Sequence, residues 1–203
     1  MILFTSLFSL ILFLPGLLPQ QILSGRRCIE PGKGQFLILV GSSGLFSMFG
    51  HDHVIEAKEI SGCAEILGSD LTRSSAELTF PAGKITVLDP KDSATDRAKV
   101  QQQMDTDVLR TQEFPSIRFR STGVRRAQSR DNGFIVDGQL TIRDRTQPVA
   151  IPLEVAPAGD GATRVKGEYS FRQTAFGIIP VRVAGGAVRV KDEIKVRFEL
   201  YLK

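Results

Sequence analysis

Tryptophan is absent from the 203 residues, while tyrosine, cysteine and histidine occur twice each and methionine three times. Each scarcity closes off a class of chemistry. Two cysteines, Cys28 and Cys63, form no CxxC pair and no Cys/His cluster, which excludes structural zinc of the familiar kind. No Gly-x-Ser-x-Gly elbow, Walker loop or dinucleotide fingerprint occurs. The acidic residues fall mostly at outward strand positions, so a catalytic carboxylate pair has no support. The net charge is only +4, and the basic residues are spread out except at Arg125–Arg126 and Arg143-Asp144-Arg145. A nucleic-acid surface needs a basic stripe interleaved with exposed aromatics, and none is present.

Charge is missing altogether from Met1 to Leu18, and Ile2 to Leu14 is almost wholly apolar before Pro15-Gly16. Roughly 13 apolar residues are too few to span a bilayer, which takes about 20, but suit the core of a secretory signal. Residues 1–24 are therefore read as a signal peptide, cut near Ser24 or Gly25, with an uncleaved membrane anchor as the alternative. The expected location is periplasmic or secreted. Arg26 and Arg27 stand where a lipoprotein signal needs small residues, which argues against lipidation of Cys28. In an oxidising compartment Cys28 and Cys63 would pair and tie the mature N-terminus to an early strand, contributing roughly 3–4 kcal/mol. Two unrelated thiols are the alternative.

What is present is alternation. Residues 25–43 read as an N-terminal linker, centred on Cys28–Gly34 with Pro31, followed by a first strand Phe36–Val40 and a turn at Gly41–Gly44. From there to the C-terminus apolar residues recur at every second position. Phe134, Val136, Leu140 and Ile142 alternate with Asp137, Gln139 and Arg143; Ile194, Val196, Phe198, Leu200 and Leu202 alternate with Lys195, Arg197 and Glu199. Each strand has one apolar and one charged face, the pattern of antiparallel sheet with one wet side. About eight strands at this spacing make a sandwich or a barrel. One segment departs: Val100, Met104 and Val108 are spaced by four within 92–110, a helix with Asp92 or Ser93 as N-cap and Pro115 preventing its continuation. This stripe serves either as a mobile lid or as a cap on one end of the core.

Three linked motifs carry a resemblance. Leu109–Phe119 reads LRTQEFPSIRF, a helix end running into an aromatic–Pro–x–Ile–x–Phe strand. Val136–Arg143 reads VDGQLTIR and is followed by Thr146-Gln147-Pro148-Val149; Phe176-Gly177-Ile178 precedes the closing strand. In this order and separation they resemble the YceI-like, polyisoprenoid-binding family over roughly Gly44 to Leu202, most strongly from Asp107 onward. Residues 44–203 are accordingly read as one YceI-like domain. Asp144 departs from the family pattern, standing in a turn that otherwise carries glycine. Like glycine, it tolerates left-handed backbone.

The resemblance implies an all-β fold, a lipocalin-like antiparallel barrel of about eight strands with one helix near an open end. It also implies a long isoprenoid chain, of quinone-precursor or polyprenyl phosphate type, enclosed in the barrel. The residues agree independently, since inward Phe, Ile, Leu and Val would line an apolar tube. Phe49, His51, His53, Phe80, Met104, Phe114, Phe119, Phe134, Leu140, Phe171 and Phe176 are the expected ligand-facing residues. Binding without catalysis and without a cofactor is the expected activity, with transient membrane-surface contact and a homodimer compatible with it. The alternative is a metal-binding protein or metalloenzyme built on His51, Asp52 and His53, where alternation puts both imidazoles on one face. Arg125 and Arg126 suggest either a pyrophosphate contact or a solvated hairpin end.

Overall fold

The computed structural model describes residues 21–43, 53–90, 92–128, 132–183 and 188–203. The alternating segments become β1 (Gly25–Ser43), β2 (His53–Ala57), β3 (Ser61–Ile66), β4 (Ser75–Pro81) and β5 (Ile85–Val87) in the first half. A helix α1 (Ala94–Gln103) separates these from β6 (Ser116–Arg126), β7 (Gly133–Ile142), β8 (Arg145–Pro157), β9 (Thr163–Arg172), β10 (Arg182–Val183) and β11 (Val188–Leu202). The ladder β1-β11-β9-β8-β7-β6-β4-β3 returns to β1, closing eight strands into an antiparallel barrel. Strands β2 and β5 extend the sheet from the far half of β1, and β10 is a short outer addition to β11.

Closure depends on β1, and here the expectation of a linker is corrected. Cys28–Gly34 is part of one 19-residue strand that pairs along its length with β11, and on its other edge first with β3 and then with β2. Proline and glycine, the basis for reading a linker, mark instead a shift of register between Ile29 and Gly34. Pro31 lacks the N–H that regular pairing needs. Gly34 has φ of 92°, and a Cβ there would lie 2.1 Å from the Glu199 carbonyl oxygen, so only glycine fits. The turn expected at Gly41–Gly44 is likewise corrected, because β1 continues through Ser43.

The outer face carries the charge. Arg120 meets Glu77 at 3.0 Å, and Glu168 meets both Lys195 (3.2 Å) and Arg197 (3.0 Å) across adjacent strands. These exposed pairs contribute little energy, but they fix which side meets water. An outside bearing charge and an inside bearing hydrocarbon is the reverse of a barrel embedded in lipid. Among the described residues no helix is long and apolar enough to cross a membrane.

The helix forms where the sequence places it, over a shorter span. Ser93 caps α1 by accepting from the Asp96 N–H at 3.1 Å, and returns a hydrogen bond to the Asp96 carboxylate. After Gln103 the backbone widens into a π-turn over Met104–Val108, closed by Leu109 N–H to the Met104 carbonyl at 2.8 Å. The Arg143 guanidinium donates to the Asp107 carbonyl, fastening the end of this segment to the β7–β8 turn. In that turn Arg143 has φ of 56°, so the left-handed residue is Arg143 and not Asp144 as the sequence suggested. The two-residue connection takes its positive φ at its first position.

One gap remains in the wall. β5 pairs with β2 on one edge, while its other edge faces α1 rather than a strand. The Gln101 carboxamide fills the missing ladder. Its Oε1 accepts from Val87 N–H and its Nε2 donates to the Ile85 carbonyl, both at 2.9 Å. A single side chain thus satisfies the backbone of an edge strand that would otherwise be buried unpaired.

Candidate functional site

The inward faces of the strands do not meet in the middle. They enclose a cavity of about 600 Å3 running the length of the barrel, from Leu71, Ser74 and Leu202 at one end to Ser42, His53 and Arg189 at the other. Its wall is hydrocarbon over most of this length, supplied by every barrel strand: Phe36 and Ile38 from β1, Phe134 and Val136 from β7, Val196 and Phe198 from β11. Tyr169 sets one hydroxyl into this wall, and burial pushes its phenol pKa up.

Two glycines keep the bore open. Gly138 and Gly167 stand at inward positions of β7 and β9. A Cβ at Gly138 would lie 2.5 Å from Phe119 Cε2, and one at Gly167 would lie 2.6 Å from Phe198 Cζ. The far edge of each phenyl ring therefore lies over a neighbouring strand's glycine. With a side chain beneath it, the ring would have to stand up into the cavity. Phe36 packs against Phe198 with centroids 5.7 Å apart and against Phe80 at 4.8 Å, extending this aromatic lining.

The sequence-derived residues divide. Phe80, Met104, Phe119, Phe134, Leu140 and Phe171 line the cavity, and His53 lies at its rim. Phe176 and Phe114 are not among the lining residues. Phe176 is buried behind the wall with Ile142 and Ile178, its ring edge-on to Phe171 at 5.4 Å, so it supports a lining residue. Phe114 is partly buried beneath the Arg110 guanidinium, 5.5 Å from its ring centroid. Phe49, His51 and Asp52 lie outside the described residues. Val100, Met104 and Val108 all face the cavity, so the helical stripe forms part of its wall. Arg125 pairs with Asp137 at 3.1 Å and Arg126 lies over the Phe134 ring at 5.5 Å, at the hairpin end.

His53 has a partner that sequence reading missed. Its Nδ1 lies 2.5 Å from Asp89 Oδ2, while Asp89 Oδ1 accepts from Val54 N–H at 2.6 Å. Asp89 is almost completely buried, and both its oxygens are engaged. Asp92 lies close enough that His53, Asp89 and Asp92 each place a ligand-type atom within 4.8 Å of the others. A contact of 2.5 Å between imidazole nitrogen and carboxylate oxygen is a hydrogen bond with the proton between them. That geometry orients the ring. Only the fold brings position 89 to position 53, so no local motif announced it.

Cys28 and Cys63 stand directly opposite each other in the β1–β3 ladder and are joined in a disulfide. On its other side Cys28 exchanges two backbone hydrogen bonds of 2.9 Å with Lys203. The bridge therefore lies at the seam where the first and last strands close the barrel.

A family model described as the YceI-like domain matches residues 42–202. No curated protein matches the chain. Among solved structures, Burkholderia cenocepacia BcnA superposes with a TM-score of 0.67 at 19% identity, covering 85% of this chain and 98% of its own. A polyisoprenoid binding domain from Saccharophagus degradans, implicated in plant cell wall breakdown, gives 0.62 at 12% identity, covering 89% and 99%. The Campylobacter jejuni YCEI protein gives 0.54 at 13% identity, covering 72% and 82%. At these identities the likeness is one of fold, and it places the same barrel in all four proteins.

Proposed function

The chain belongs to the YceI-like domain family, and from that premise we propose that it binds and carries a long polyisoprenoid lipid inside the barrel. The observation that carries the reading is the cavity itself: about 600 Å3, as long as the barrel, and walled almost entirely by hydrocarbon. An eight-stranded barrel has just enough interior for its own side chains or for one small ligand. The glycine–phenylalanine pairs push the balance toward a ligand. Burial of ten methylene-sized groups contributes about 8 kcal/mol, comparable with the cost of immobilising a ligand, so chain length governs affinity. The polyisoprenoid binding of the Saccharophagus domain supports this choice of tail.

The reading is one of binding, which the hydrocarbon wall and the family support. We place the protein in the cell envelope or outside the cell. The Cys28–Cys63 disulfide and the charge-free stretch at 1–18 support an oxidising destination reached by export. Transient contact with a bilayer is supported by Ile179, 82% exposed and two residues from Val181 in the cavity wall.

Titration with a long polyprenol tests the proposal. One lipid per chain is expected, with binding abolished in Val196→Trp, where the added ring occupies the bore. Equal binding by wild type and Val196→Trp would mean that the lipid sits outside the barrel.

A further inference from the structure

Ile22, Leu23 and Ser24 fall within residues 1–24, the stretch read as a signal peptide, yet the fold makes use of each. The Ser24 hydroxyl oxygen accepts from the Gly68 N–H at 2.8 Å, across 44 residues of chain. The Ile22 carbonyl crosses directly over the same glycine. A Cβ at Gly68 would lie 2.2 Å from the Ile22 carbonyl oxygen and 3.3 Å from Ser24 Oγ. Gly68 sits in the turn after β3, closed by Asp70 N–H to the Leu67 carbonyl at 2.8 Å. It is not among the glycines held at positive φ, so the turn itself accepts other residues. The crossing chain is what requires the missing side chain.

The side chains continue the fit. Ile22 is partly buried against Ala64, Ile66 and Leu202, a cluster that walls the Leu71/Leu202 end of the cavity. Leu23 reaches the turn between β8 and β9, where a Cβ at Gly161 would lie 3.4 Å from its Cδ1. Three successive residues therefore fasten the start of β1 to two turns. They do so beside the four residue pairs, Gly25/Ile66 to Cys28/Cys63, by which β1 and β3 close the barrel. A chain beginning at Gly25 would leave the Gly68 N–H without this acceptor and uncover the cluster to water, both at a cost in stability.

We propose that Ile22, Leu23 and Ser24 remain in the exported protein, covering the cluster at the Leu71/Leu202 end, and that the leader is removed at a peptide bond upstream of them. The proposal rests on the export reading and shifts the processing site away from the bonds at Ser24 and Gly25. The step is a hydrolysis by a leader peptidase of the exporting cell. One water is consumed, the leader departs with a new carboxylate, and the retained chain gains an α-amino group.

The full chain, expressed with its own leader and recovered from the envelope of a bacterial host, gives the test by intact mass. The expected mass is that of a chain beginning after Met1 and no later than Ile22. A chain beginning at Leu23 or beyond would overturn the proposal while leaving export in place. One that keeps Met1 would overturn both the processing step and the cleaved-leader reading beneath it. Docking of the segment is read separately, in the recovered protein, with Gly68→Ala. Its melting temperature should fall by roughly 2–10 °C, because the new Cβ meets the Ile22 carbonyl oxygen. Gly83→Ala, whose Cβ meets nothing within 4 Å, should melt as wild type does. Equal melting of the two alanine variants would show that the segment does not lie over Gly68 and would overturn the proposal.

Discussion

Replacing Gly138 with alanine is the smallest change that tests how the bore is kept open. The new Cβ would lie 2.5 and 2.7 Å from Phe119 Cε2 and Cζ, and 2.7 Å from the Arg120 carbonyl oxygen. Real Cβ atoms do not approach so closely. The ring can swing toward the cavity, but the carbonyl belongs to the β6–β7 ladder and can move only with its strand. Overpacking of this kind costs about 1–3 kcal/mol, which lowers the melting temperature of a domain this size by roughly 2–10 °C. Gly83→Ala is the control, because a Cβ there meets nothing within 4 Å, and it should stay within about 0.5 kcal/mol of wild type. In the double variant Gly138→Ala/Phe119→Leu, part of the loss should return, leaving the share owed to the carbonyl. Chemical denaturation of the four proteins gives the comparison. If Gly138→Ala were as stable as Gly83→Ala, the close approach of the Phe119 ring to the glycine would not be what shapes this wall.

Other features of the fold give independent expectations. Replacing both Cys28 and Cys63 with serine removes a link between residues 35 apart, which should cost about 4 kcal/mol; an unchanged denaturation midpoint would show that the seam holds without it. Gln101→Leu strips the β5 edge of its two side-chain partners and should cost about 1–3 kcal/mol. Hydrogen exchange should then speed at the Val87 amide and leave β7 and β8 protected, whereas unchanged exchange at Val87 would remove the latch. The Thr174 N–H and hydroxyl, together with nearby Arg172, hold the Asp192 carboxyl below its ordinary value near 3.8, against a smaller opposing effect of burial. Its contribution is therefore present above that ordinary value and lost as pH falls through the lowered one. Asp192→Asn should flatten the stability profile in that acid range, and an unaltered profile would count against the contact.

The barrel was legible because its signal is local and repeated. Alternation in Phe134–Ile142 and Ile194–Leu202 puts hydrocarbon on one face whatever the strand's neighbours, and Phe80, Phe119, Phe134, Leu140 and Phe171, all on such faces, line the cavity. The helix was legible for the same reason, through Val100, Met104 and Val108 at a spacing of four. What failed to show depends on partners distant in the chain. Pro31 and Gly34 look like a linker until β11 lies beside them. Phe176 has the composition of a ligand contact, but Ile142 and Ile178 bury it behind the wall. His53 meets Asp89, and Gln101 meets the edge of β5. None of these pairings leaves a periodic trace, since each is a single contact made possible by closure. The glycines at 138 and 167 sit within alternating strands, but only the rings of Phe119 and Phe198 show why they are glycine.

The central claim is that the barrel holds a long isoprenoid chain, and native mass spectrometry of the purified protein, followed by organic extraction, tests it most directly. The account predicts one co-purifying lipid per chain with an isoprenoid tail, absent from the Val196→Trp variant. A protein that emerges empty, and stays empty after exposure to polyprenyl lipids, would contradict it.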